Sequence, residues 1–396
     1  MDSLQFSPVL LTLLSLFVSI IILLFPFRKK LPYPPGPKGY PIIGNMGMMD
    51  QLTHRGLARL SKQYGGLLHL QMGGLHVVAV STPETAREVL HVQDIVFANR
   101  PANLAIVYLT YDRADMAFAN YGPFWRQTRK ICAMKLFSRK RAESWASVRD
   151  EVESTSRKVL EKTGEPVNIG ELVFALTRSI TYKAAFGSSS NEGQEEFMAI
   201  LQELSKLFGA FNVADFFPWL GWIHHAQDFK RRLARSRNSL DGFIDTIIDE
   251  HIITRKKTRE SLDSKDENEE VDTDMVDELL AFYSEDASKN NFDESKPGTI
   301  KLSKDNIKAL IMDVMFGGTE TVASAIEWAI AESCPGMQLG LYALEMALAH
   351  LLHCFTWELP HGMKSDELDM NDVFGLTAPR AVRLVAVPTY RLNCPF

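Results

Sequence analysis

The stretch from Ser303 to Glu332 constrains the fold most. It is long, largely apolar and free of proline. Ile307, Leu310, Ile311, Val314, Gly318, Thr321, Val322, Ala325 and Ala329 recur at helical spacing, which predicts one long helix with an apolar face. Ser303 is placed to cap its start, and Asp305 suits a first turn, where the helix dipole favours an acid. Gly317 and Gly318 interrupt the pattern at its centre. Each costs roughly 1 kcal/mol against alanine inside a helix. An acid and an alcohol, Glu320 and Thr321, follow at once. Paired glycines open a helix locally to a bulky ligand, or they let two helices pack closely through small residues. This stretch alone leaves both readings open.

The rest of the chain frames that helix. Residues 8–27 form an uncharged apolar run followed by Arg28, Lys29 and Lys30, with only Asp2 charged before it. A helix of that length spans roughly 30 Å, enough for a bilayer core. Basic residues on its far side place the bulk of the protein on the cytoplasmic face. No basic leader or small-residue cleavage site accompanies the run, so an uncleaved anchor is expected. Residues 31–45 alternate Pro32, Pro34, Pro35, Pro37 and Pro41 with glycines, which predicts an extended, semi-rigid connection. The four cysteines, Cys132, Cys334, Cys354 and Cys394, are sparse and form no CxxC pair, which points to a reducing compartment. A net charge of -6 gives no reason to expect nucleic-acid binding.

Local patterns fill in the remainder. Residues 67–72 and 75–80 flank Gly73-Gly74 as a hairpin. Thr82-Pro83-Glu84 starts a helix. Residues 100–124 read as a loop with an apolar stretch at 103–109. Trp125 and Arg129 lie four apart on one helix face. Together they suit an anionic group, or simply a surface cation resting on an indole ring. Residues 139–260 are mostly amphipathic helix, with a basic cluster at Lys230, Arg231, Arg232, Arg235 and Arg237. That cluster is a solvated face or a dock for an acidic partner. Residues 259–275 are polar and acidic and read as a mobile loop. A further helix is expected over about 337–355. It carries His350, His353 and Cys354 on one side, more in keeping with a buried helix than with a metal site. Short strands are expected over 376–393.

Read together, several motifs resemble the cytochrome P-450 family of haem-thiolate monooxygenases, in its plant microsomal form. They are the basic-flanked anchor, Pro34-Pro35-Gly36-Pro37, Phe97-Ala98-Asn99-Arg100-Pro101, Tyr121-Gly122-Pro123-Phe124-Trp125-Arg126 with Arg129-Lys130, Phe316-Gly317-Gly318-Thr319-Glu320-Thr321, and Cys334-Pro335-Gly336. The whole is most similar to the plant ferulate (coniferaldehyde) 5-hydroxylases, on general similarity rather than on any one motif. The resemblance implies a mainly α fold with small β-sheets behind one N-terminal transmembrane helix. It implies haem b with Cys334 as the axial iron ligand, since thiolate donation favours O–O cleavage. It implies Glu320 and Thr321 as the catalytic pair for proton delivery, with Gly317 and Gly318 making room for dioxygen. Trp125 and Arg129 fall on the haem-propionate contacts. Residues 103–109 and Leu376-Thr377 fall on the substrate pocket. An NADPH-cytochrome P-450 reductase is the implied electron donor, the basic cluster its dock, and the endoplasmic reticulum membrane the location. The implied reaction is ring 5-hydroxylation of ferulate, coniferaldehyde or coniferyl alcohol.

The chain departs from the family pattern at one place. In the family the central helix and the cysteine loop lie more than roughly a hundred residues apart. Here Ala331-Glu332 runs directly into Ser333-Cys334. The E-x-x-R helix, the meander after it and the first half of the cysteine loop are absent. Glu327, Ile330 and Glu332 stand where the family's cysteine signature has Phe, Gly and Arg. Only 13 positions separate Thr321 from Cys334, about 20 Å as straight helix. The expected organisation is an anchor over 1–30, a hinge over 31–45, the N-terminal part of the monooxygenase domain over 46–332, and a cysteine-bearing remnant over 333–396. Two rival functions follow: an inactive, internally deleted form that does not hold haem, and a non-catalytic membrane protein that binds the reductase.

Overall fold

The structure, a computed structural model, describes residues 16, 33–48, 54–101, 103–137, 146–187, 193–210, 212–220, 228–262, 274–285, 287, 301–331, 338–373 and 379–392. The apolar run 8–27, apart from Leu16, lies outside them, as do Cys334 and Leu376-Thr377. So does most of the acidic stretch 259–275. The chain divides into two compact units, residues 1–87 and 88–396.

In the first unit, α1 (His54–Tyr64) precedes the predicted hairpin of β1 (Leu67–Met72) and β2 (Leu75–Val80), and α2 (Pro83–Arg87) follows. Met72 pairs with Leu75 across the turn, where Gly73 has φ +58. Alternate residues Leu68 and Leu70 of β1 are buried with Leu60 of α1, as period-two patterning requires. The proline-rich stretch is extended, but it is docked rather than free. His69 N–H donates to the Pro35 carbonyl at 3.0 Å, and Gln71 N–H to Asn45 Oδ1 at 2.8 Å. A Cβ on Gly36 would come 1.9 Å from the His69 carbonyl oxygen. The prolines thereby cover the free edge of β1, which would otherwise expose unpaired backbone groups.

The second unit is mainly helical. Its elements are α3 (Asp94–Phe97), α4 (Leu104–Leu109), α5 (Pro123–Ile131), α6 (Ala146–Glu161), β3 (Val167–Asn168), α7 (Ile169–Phe186), α8 (Gln194–Phe208), α9 (Val213–Phe216), α10 (Phe229–Leu262), α11 (Met275–Leu280), α12 (Lys304–Ala331), α13 (Gln338–Cys354), β4 (Phe355–Glu358) and β5 (Val385–Tyr390). The strands form a small antiparallel sheet in the order β3-β5-β4. Pro388 is tolerated in the middle strand because β3 pairs only with Val385 and Ala386, leaving no ladder bond for its missing N–H. Where a loop was expected over 100–124, α4 forms instead. Asn103 Oδ1 caps it through Ile106 N–H at 2.8 Å, and Asp215 accepts from Leu104 N–H at 3.0 Å, a tertiary contact that the local pattern does not announce.

The predicted central helix is α12. Ser303 and Asn306 cap it reciprocally: Ser303 Oγ accepts from Asn306 N–H at 3.2 Å and Asn306 Oδ1 from Ser303 N–H at 3.0 Å. From Asn306 to Met312 the helix is buried all round. Even Lys308 is enclosed, held by Asp241 at 2.9 Å and Asp245 at 2.7 Å from α10. Among the described residues, only Lys304–Trp328 is long and apolar enough to cross a membrane, and half of it is buried within the protein, as a core helix is. At the other end, Arg391 N–H donates to the Cys354 carbonyl at 2.9 Å, bringing the C-terminal segment alongside α13. Cys354 is disulfide-bonded there, contrary to the expectation of thiols throughout.

Candidate functional site

Because α12 is enclosed for most of its length, its accessible face stands out. Asp313, Gly317 and Thr321 follow at four-residue spacing, and Gly317 and Thr321 are exposed. The apolar face expected for this helix holds from Ile307 to Val314 and then turns. Thr319, Ala323, Ile326 and Glu327 are buried instead, and Thr321 is turned outward. Half-buried Glu320 lies beside it.

The two readings of the glycine pair divide between its members. A Cβ added to Gly317 would meet nothing within 4 Å, so that backbone is open to a ligand. A Cβ on Gly318 would meet Thr181 Cγ2 of α7 at 3.0 Å, which is close helix packing. The helix is continuous here, and hydroxyls draw its carbonyls aside. Thr181 donates to Gly318 O at 3.2 Å, Thr177 to Thr319 O at 3.1 Å, Thr319 to Met315 O at 2.8 Å, and Thr321 to Gly317 O. Gly317→Ala is therefore expected to stabilise the fold by about 0.5–1 kcal/mol, through helix propensity alone. Gly318→Val is expected to destabilise it by about 1–3 kcal/mol through overpacking. Urea denaturation of the two variants measures both, and equal effects would refute the division.

Trp125 and Arg129 share a face of α5, as their spacing predicts. The Arg129 guanidinium sits 5.2 Å from the Trp125 ring centroid. The indole N–H is already donated, to the Met116 carbonyl at 3.1 Å, so in this arrangement only exposed Arg129 faces outward as a donor. Met116 leads back to α12. Asp313 Oδ2 accepts from Met116 N–H at 2.8 Å and Ala117 N–H at 3.0 Å. The accessible helix face and the Trp125–Arg129 pair are thus joined through one short loop. Sequence reading missed Asp313, although an acid in the apolar first half of the helix, four before Gly317 and eight before Thr321, was a usable signal.

The described residues supply no thiolate for a haem iron. The Cys132 thiol is buried and pushed up to about 12, by burial first and then by the charge of Asp313. Cys354 is in a disulfide, and Cys334 lies outside the described residues. The fit to haem is therefore one-sided. Open backbone at Gly317, with Glu320 and Thr321 beside it, suits the oxygen side of a flat cofactor, and the described residues leave the opposite side unprovided. His251, Asp274 and Asp277 form a metal-capable trio. It is an internal ion pair: His251 Nε2 lies 2.7 Å from Asp274 and Nδ1 lies 2.8 Å from the Ile247 carbonyl. Burial pulls that imidazole down, but the Asp274 carboxylate outweighs it and raises the ring to about 9.

Glu327 stands where the family's cysteine signature has Phe, and the structure gives it a different task. It is fully buried, with Oε2 2.9 Å from the Arg383 guanidinium and Oε1 accepting Leu384 N–H at 2.9 Å. Gly170 at the start of α7 makes room, since a Cβ there would come 2.6 Å from Glu327 Oε1. Of the five basic residues in the cluster, Arg232 pairs with Glu203 at 2.6 Å and Arg237 donates to the Tyr108 carbonyl at 2.7 Å. Lys230, Arg231 and Arg235 are exposed.

Comparison with known proteins places this architecture. The family description "Cytochrome P450" matches residues 34–333. The chain is 51% identical to cytochrome P450 84A1 of Arabidopsis thaliana, covering 98% of this chain and 96% of that one. It is 42% identical to cytochrome P450 84A4 of the same plant, covering 98% and 99%. The first of these alignments runs over 510 positions, 114 more than the chain's 396 residues. A zebra fish cytochrome P450 structure with progesterone superposes with a TM-score of 0.60 at 14% identity, covering 84% of this chain and 98% of that one.

Proposed function

This chain belongs to the cytochrome P450 family, and from that premise we propose that it derives from a membrane-anchored monooxygenase that hydroxylates a phenylpropanoid ring. Ferulate, coniferaldehyde and coniferyl alcohol are the proposed substrates, with position 5 as the site of attack. The family implies haem, a reductase partner and a small substrate. Bound haem would supply the oxygen-activating chemistry. The observation that carries the reading is the accessible face of α12, where open backbone at Gly317 adjoins Glu320 and exposed Thr321. The Thr321 hydroxyl donates to Gly317 O and so keeps its lone pairs on the open side, where it can accept a proton and pass one on. Glu320, one residue before it, is the proposed proton source. Gly318 holds the helix against α7. Arg129, stacked on Trp125, is the proposed partner for a propionate, and Cys334 the proposed axial ligand. Residues 8–27 are the proposed single-pass anchor in the endoplasmic reticulum, with the catalytic part in the cytosol.

A second reading concerns this chain's own competence. We propose that an internal segment is missing between Glu332 and Ser333, and that the chain holds haem poorly as a result. Three observations support it. The family match stops at residue 333. The alignment to the Arabidopsis relative needs 114 positions beyond the chain's length. And α12 continues unbroken to Ala331, carrying the chain about 15 Å straight on from Thr321, with no bend to bring Cys334 round to the opposite face. The reductase-binding alternative has less support, because Arg232 and Arg237 are engaged within the protein. The substrate reading is tested in membranes with reductase and NADPH, using a chain refilled at the junction with the relative's segment. Ring-5-hydroxylated coniferaldehyde is expected by mass spectrometry. A refilled chain that binds haem yet leaves all three phenylpropanoids unchanged overturns the substrate assignment.

A further inference from the structure

Two carboxyl groups meet between α12 and the loop that precedes α5. Asp115 is fully enclosed. Its Oδ1 accepts Phe118 N–H at 3.1 Å, while its Oδ2 is buried and has no hydrogen-bond partner. Asp313 faces it and holds the next two residues of the same loop through Met116 N–H and Ala117 N–H. The Met116 carbonyl in turn receives the Trp125 indole N–H, and Arg129 lies over that indole. An orphaned carboxyl oxygen beside a second carboxyl is satisfied when one of the two carries a proton and donates it to the other.

We propose that Asp115 and Asp313 form a hydrogen-bonded carboxyl pair that sets the Met116 carbonyl and thereby positions the Trp125–Arg129 face relative to the accessible face of α12. The functional consequence rests on reading Trp125 and Arg129 as cofactor contacts; the positioning itself does not. Both residues are positioning residues, since neither is assigned a contact with cofactor or substrate.

Charge state follows from the surroundings. Burial pushes both groups up; Asp115 raises Asp313 further, while the backbone N–H donor of Phe118, a hydrogen bond from Asp313 and the N–H of Ala119 pull Asp115 back to about 6. The Cys132 thiol, which feels the charge of Asp313, stays protonated. The pair therefore sheds its first proton as pH rises through the range near 6, while Asp313 keeps the second and shares it with Asp115. Above that range the shared proton makes a charge-assisted hydrogen bond that holds the loop; below it both carboxyls are neutral, that bond weakens, and the indole hydrogen bond loosens.

The test uses the detergent-solubilised full chain, without haem, carrying 15N-labelled tryptophan. The Trp125 indole resonance is identified by its loss in Trp125→Phe. It is expected to move with a midpoint near 6 while the other indole signals stay fixed. In Asp115→Asn, whose amide hydrogen-bonds to Asp313 without titrating, the resonance is expected to lose that midpoint. A wild-type resonance that is flat with pH, or one that titrates unchanged in Asp115→Asn, overturns the proposal. Because no haem is present, neither outcome depends on the proposed enzymatic role.

Discussion

Restoring a segment of the Arabidopsis relative at the proposed junction between Glu332 and Ser333 is expected to turn a chain with no measurable haem into one with nearly stoichiometric haem. The expectation comes from geometry. A haem iron in this family needs a thiolate on one side of the ring and the oxygen-handling residues on the other. In this chain α12, the proposed oxygen-side helix, continues to Ala331, three residues from Cys334. Three residues reach only about 10 Å even when extended, little with which to pass from one face of a flat ring to the other. The second expected gain is solubility. Leu90, Ile95 and Val96 are 76%, 66% and 73% exposed, with Val92 and Phe97 beside them in one short stretch. Apolar side chains this exposed, close together in sequence, invite aggregation. The refilled chain should therefore be recovered with less aggregate as well as with haem. If refilling restores neither, the junction is not what limits this chain.

Glu327→Ala is expected to destabilise the second unit by about 1–3 kcal/mol, the cost of leaving a buried backbone donor unsatisfied. Arg383 would lose its carboxylate, and Leu384 N–H would be left buried without an acceptor. Since Leu384 leads directly into β5, the loss should loosen the three-stranded sheet first. Glu327→Gln keeps an acceptor for Leu384 and should cost less. Arg383→Met should cost more than Glu327→Gln, because it leaves the fully buried Glu327 carboxylate without its counter-ion. Denaturant midpoints for the three variants give the order. A loss below about 1 kcal/mol for Glu327→Ala would place the residue among ordinary surface positions.

The sequence was most informative where periodicity and punctuation agree. The Gly73-Gly74 hairpin, the Ser303 start of the central helix and the helix over 338–354 were all legible, because turn residues, caps and spacing are local signals. The candidate site was half legible. Glu320, Thr321, Trp125 and Arg129 were found by motif and spacing, and the glycine pair was singled out without knowing which member does what. Only the position of Thr181, far away in sequence, separates Gly318 from Gly317. Residues such as Asp115, Asp313, Glu327 and Arg383 escaped for the same reason. A buried charge is explained by its partner, and Glu327 lies 56 positions from Arg383 while Asp313 lies 197 from Met116. Asn103 was missed as a cap because the apolar stretch after it was taken for loop, and α4 is secured by Asp215 from elsewhere.

The most direct test of the account is the carbon-monoxide difference spectrum of the reduced, unmodified chain, expressed in membranes with ample haem. The account predicts background haem content and no thiolate Soret band. A normal thiolate band that disappears in Cys334→Ala would contradict it, and would show that the chain leaves α12 and brings Cys334 round to the iron despite the proposed deletion.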